Sequence, residues 1–140
     1  MKTLAFIAGG VAAGILIDRL IIAMNTSQKE RRYKLLEGTF GSTIHANTFE
    51  LSDVRDWFKS RKESLASGNK GLVMKINDET LKSLGKNLNL GRTISNMLAM
   101  AIINTETNEI VDSTLAKYDR IDDKLENALA KGNGIMVIEE

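Results

Sequence analysis

Residues 97–116, MLAMAIINTETNEIVDSTLA, decide the fold. Two runs of equal length, MLAMAIIN and EIVDSTLA, flank Thr105-Glu106-Thr107-Asn108, whose polarity and length suit a hairpin loop. The first run is apolar on both faces and asks for a central strand, whereas Asp112 and Ser113 place the second nearer an edge. Downstream, Asp119 is placed to cap a helix with Ile121, Leu125, Ala128 and Leu129 on one stripe. Gly132 closes it, and Gly134 releases a final strand, IMVIE. Upstream, Gly71 opens the strand LVMKIN, and Asn77 or Asp78 caps a helix carrying Leu81, Leu84 and Leu88. Before that, Ser52 is read as the cap of a helix bearing Val54, Trp57, Phe58, Arg61 and Leu65, with Gly68 as terminator. The β-branched content of TFGSTIHANTFEL permits a short strand over residues 43–49.

From residue 52 the order is α-β-α-β-β-α-β, so the expected fold is α+β, a small α/β sandwich behind an N-terminal transmembrane helix. Its last six elements match the split βαβ, or ferredoxin-like, arrangement, with two helices on one face of an antiparallel sheet. That topology carries no function by itself.

The 140 residues allow one domain and a short appendage, and 43% hydrophobic against 26% charged is the composition of a folding chain. Without Cys there is no disulfide, thiolate metal site or cysteine nucleophile, and one His, His45, rules out a multi-His zinc centre. No cofactor is expected. Pro is absent, so Gly supplies most of the turns.

Residues 3–24, TLAFIAGGVAAGILIDRLIIAM, hold only Asp18 and Arg19 as charges and would make a helix about 33 Å long, enough for a bilayer. Both charges are costly near a helix centre and less so toward an end. The stretch after the unbroken apolar part, DRLIIAMN, lacks the A-x-A pattern of a signal cleavage site, so an uncleaved anchor is expected over residues 1–24. An apolar helix packed on the domain is the bland alternative. Gly10 and Gly14 form a G-x-x-x-G face on which two such helices could approach, giving a homo-oligomer through the anchor.

Residues 25–38 form a basic juxtamembrane linker. Lys29, Arg31, Arg32 and Lys34 crowd the far side of the anchor, which places the domain, residues 39–140, in the cytoplasm and the four cations at an anionic leaflet. Residues 1–34 carry +4, so the remainder carries −3 of the total +1. A folded part of that sign argues against nucleic acid as a partner. The Gly-rich start FIAGGVAAGILIDRL also resembles the anchors of several small bacterial membrane proteins.

Candidate chemistry is sparse. Ser42 and His45 lie close in sequence without a G-x-S-x-G elbow, and GTFGST lacks the spacing of a phosphate loop. Asp119, Asp122, Asp123 and Glu126 recur at helical spacing, yet without the ligand order of a calcium loop. A more specific pattern lies in VMKINDETLKSLGKNLNLGRTISNMLAMAI, which resembles a ribbon-helix-helix DNA-binding module over residues 73–103. The resemblance implies Val73, Lys75 and Asn77 in a major groove, with Thr93 and Ser95 at phosphate. The expectation that follows is a membrane-anchored, non-enzymatic interaction or scaffold protein with lipid bilayer and protein partners. A DNA-binding regulator and a small enzyme working through carboxylates are the alternatives.

Overall fold

The computed structural model describes residues 2–4, 40–66, 69–77, 79–80, 96–104, 106–107 and 109–139. They contain the strands β1 (Lys2–Leu4), β2 (Thr43–Phe49), β3 (Lys70–Lys75), β4 (Met97–Asn104), β5 (Glu109–Ile121) and β6 (Ile135–Glu139). The described helices are α1 (Leu51–Lys59), α2 (Lys62–Ala66) and α3 (Asp123–Ala130). Together they make a small α+β domain on a mixed five-stranded sheet, β6-β3-β4-β5-β2, with β1 added outside β6.

The apolar run at residues 97–103 sets the topology. Every residue from Met97 to Ile103 is buried, so β4 needs cover on both faces and lies in the sheet's interior, antiparallel to β3 on one side and β5 on the other. This corrects the ferredoxin-like expectation. A split βαβ sets its first and third strands side by side, antiparallel, and leaves the second at the edge, where it has one hydrogen-bonded neighbour in place of two. Here β3, β4 and β5 are successive antiparallel neighbours, so the second strand is interior, and β2 adds a parallel partner outside β5.

The hairpin loop is held by Asn104, whose Oδ1 accepts from the Glu106 and Thr107 amides at 3.0 and 3.2 Å. Between Ile102↔Asp112 and Ile103↔Ile110 the register shifts, leaving Val111 as a bulge residue that is 49% exposed. β5 then runs past Ala116 to Ile121, because β2 continues the ladder through Thr48↔Arg120 and Phe49↔Ile121. Asp119 is therefore a strand residue, and the cap of α3 is Asp122, which accepts from the Leu125 amide at 2.8 Å.

The helix expected from Ser52 to Gly68 is two helices. Its cap is Glu50, paired with Asp53 in a capping box, while Ser52 already lies within α1. The break follows Lys59, where the Ser60 hydroxyl donates to the Trp57 carbonyl at 2.7 Å.

One face of the sheet, with Val73, Leu98, Met100, Ile102, Ala116, Met136 and Ile138, packs against Val54, Trp57, Phe58 and Leu65 of α1 and α2 and Leu125 and Leu129 of α3. The other face, with Leu72, Met74, Ala99, Ala101, Leu115 and Val137, is buried too. Gly71 lies under Phe58, and a Cβ there would sit 2.7 Å from its Cε1.

β1 pairs antiparallel with β6, from Lys2↔Glu139 to Leu4↔Val137. The chain is thus a strand where the sequence suggests the start of a helix at residue 3. The rest of that segment, with Gly10, Gly14, Lys29, Arg31, Arg32 and Lys34, lies outside the described residues. Among the described residues no helix is long and apolar enough to cross a membrane.

Candidate functional site

Strand alternation puts Gly71, Val73 and Lys75 on the helix-covered face. Val73 is fully buried there and β3 has partners on both edges, so this residue has no surface to offer a DNA groove. Lys75, at the strand end, escapes the helices and reaches Glu126 of α3, with its Nζ 2.8 and 3.0 Å from the two carboxylate oxygens. Asn77 turns its Oδ1 onto the Thr80 amide at 2.8 Å, as a helix cap does. Thr93 and Ser95 lie outside the described residues. The strand half of the DNA reading is therefore spent on core, ion pair and cap.

Lys75, Asn77, Thr80, Glu126, Asn133 and Gly134 line a recess of about 250 Å³. Gly134 there has φ +93, a conformation glycine adopts without strain, and Thr80 packs on it so closely that a Cβ would overlap its hydroxyl. The recess presents a cation and a carboxylate already joined. With the Lys75 side chain 20% exposed and that of Glu126 48% exposed, the pair is a partly hydrated clamp between β3 and α3.

The acidic run does not converge. Asp122 is used as a cap, Glu126 faces Lys75, Asp119 belongs to β5, and no group of three or more His, Asp or Glu that could hold a metal occurs among the described residues. Ser42 and His45 do not form a pair either: the Ser42 hydroxyl donates to Thr114 Oγ1 at 2.8 Å across to β5, while His45 is exposed on β2.

A second, more open recess of about 440 Å³ lies over the paired strands β2 and β5 at the sheet's β2 edge, lined by His45, Ala46, Asn47, Lys117, Tyr118 and Asp119. Burial of Tyr118, and secondarily the charge of Glu126, push its phenol up to about 12. It stays protonated at neutral pH and is no general base there. Sequence reading passed over this edge, although TIHANTF, with no Lys, Arg, Asp, Glu or Pro, carries the signal of a strand with nothing to guard it.

Arg61 also went unassigned beyond its place on the helix stripe. Its guanidinium lies 4.1 Å from the Trp57 ring centroid and its Nε 2.7 Å from Asp112, which ties the α1–α2 junction to the β5 bulge. Comparison of the chain with protein-family models, with curated proteins and with solved structures finds no match.

Proposed function

We propose that the chain is a non-enzymatic interaction module tethered to a membrane by the apolar segment that follows β1. What carries this reading is the segment itself: residues 5–24, which hold Asp18 and Arg19 as their charges, would make a helix about 30 Å long, followed by the cations at 29, 31, 32 and 34. The polar groups of the described domain support a binding role over catalysis. Lys75 and Glu126 in the first recess are joined to each other, and the Ser42 hydroxyl is engaged with Thr114.

A spanning helix puts its two ends on opposite sides of the bilayer. In the tethered state Lys2–Leu4 is therefore off β6, since both ends of the segment cannot stay with the domain. The β1–β6 pairing favours a second reading, in which residues 5–24 keep to the domain and the module works without a membrane. A DNA-binding role is weakened by the burial of Val73.

A green fluorescent reporter fused after Glu140, which matures in the cytoplasm and not after export, separates these readings. Fluorescence in a ring at the cell periphery is the expected result. Diffuse fluorescence overturns the tether and selects the second reading, and a dark fusion overturns the cytoplasmic orientation.

A further inference from the structure

The two edges of the sheet are treated differently. In the described structure the β6 edge is covered by β1, a pairing that the tethered state gives up, whereas β2 is terminal among the described residues. In a parallel ladder, alternate residues point both amide and carbonyl to the same neighbour. The Leu115 amide donates to the Ser42 carbonyl at 3.0 Å, which fixes the phase: Ser42, Ile44 and Ala46 turn toward β5. Thr43, His45 and Asn47 thus direct their N–H and C=O groups away from the sheet.

An edge open among the described residues is a template for another strand, and natural sheets guard theirs with Lys, Pro, bulges or covering chain. β2 has no Lys or Pro, and its register with β5 brings no bulge at Thr43 to Ala46. We infer that β2 docks a second copy of this chain, the two β2 strands pairing antiparallel about a two-fold axis at His45.

The strand is its own complement in that register. His45 meets His45 of the other copy, Thr43 meets Asn47, and Ile44 meets Ala46. Every outward residue exchanges both of its hydrogen bonds with another outward residue. With no Asp, Glu, Lys or Arg from Thr43 to Phe49, no such charge meets its like across the axis. A single strand pair is a small contact, so confinement of both copies to one membrane would raise its occupancy through effective concentration. The inference names the partner of the interaction module proposed above, but it depends only on the β2 edge and stands or falls apart from the tether.

The chain has no cysteine, so one can be placed at will. In the proposed register residues at position 45 lie roughly 5.5 Å apart between Cα atoms, within reach of a disulfide. His45→Cys in the full chain, under mild oxidation in membranes or detergent, should give a covalent dimer about tenfold faster than Asp56→Cys on the exposed side of α1. Adding Asn47→Pro, which removes an outward N–H at an edge position that tolerates Pro, should abolish the advantage. His45→Lys, which sets two cations opposite each other, should shift the untreated chain toward monomer in sedimentation. Equal cross-linking at positions 45 and 56 overturns the inference, whether β2 then serves another partner or none. Membrane localisation is read by the reporter and not by this ratio, so failure of one cannot be mistaken for failure of the other.

Discussion

At Gly71 a methyl group has no room. Its Cβ would lie 2.7 Å from Phe58 Cε1 and 3.1 Å from Ile138 Cβ, between a helix and a neighbouring strand that are both core. Gly71→Ala should therefore cost about 1–3 kcal/mol through overpacking, read as a lower denaturant midpoint in chemical unfolding. Trp57, 8% exposed, packs edge-on to Phe58 at a centroid distance of 4.8 Å, and Trp57→Ala should cost about 3–5 kcal/mol. An unshifted midpoint would contradict the core assignment. Helical spacing alone set Trp57 and Phe58 on one stripe with Val54 and Leu65. The sequence could not mark Gly71 as a contact point, because the neighbour that matters, Phe58, is brought there by tertiary packing.

Tyr118 makes a prediction about pH. Its folded value of about 12 lies above the ordinary 10, so the folded state holds the phenolic proton more tightly than the unfolded chain does. The stability contributed by Tyr118 is fully present below pH 10 and is lost as pH rises from 10 toward 12, because the unfolded chain loses that proton first. Burial is the larger cause and the charge of Glu126 the smaller. In Glu126→Gln the tyrosinate absorbance should therefore titrate at somewhat lower pH, with most of the elevation kept. A return to the ordinary value would mean that the charge, not burial, dominates.

Among the elements, the hairpin was the most legible and the helix ends the least. MLAMAIIN carries its own position in the sheet, since a strand apolar on both faces has few places to go. The length of β5 was hidden because its last residues are held by β2, a parallel partner far away in the sequence. That pairing drew Asp119 into the strand and moved the cap to Asp122. Likewise the periodicity over residues 52–65 was right about the buried stripe and silent about the break after Lys59, which Ser60 and Arg61 fix through the Trp57 carbonyl. Arg61→Ala should loosen this junction by about 1 kcal/mol, the sum of a cation–π contact and a partly exposed ion pair. Arg61→Lys should recover only part of it, because an ammonium cannot reproduce the stacked fork. Full recovery by Lys would show that charge alone holds the junction.

For the whole molecule, the order of β3 to β6 and the helix before β6 was readable, the helix expected with Leu81, Leu84 and Leu88 lies outside the described residues, and the topology was not readable. The βαββαβ succession is shared by sheets with different strand orders, and what separates them is which strands can bear an edge. The β2 edge became visible only when the order was known, because its uncharged sequence acquires meaning from being last in the sheet. The tether and the β1–β6 pairing meet in a single physical question, whether residues 5–24 lie in lipid or with the domain. Alkaline carbonate extraction of membranes containing the full chain asks it directly, with Ile15→Arg and Ile17→Arg together as the comparison, since each cation near the middle of a span costs about 3 kcal/mol. The account predicts that the unsubstituted chain stays in the membrane pellet until detergent is added, while the doubly substituted chain is released with its domain still folded by circular dichroism. Release of the unsubstituted chain into the alkaline supernatant without detergent would contradict it.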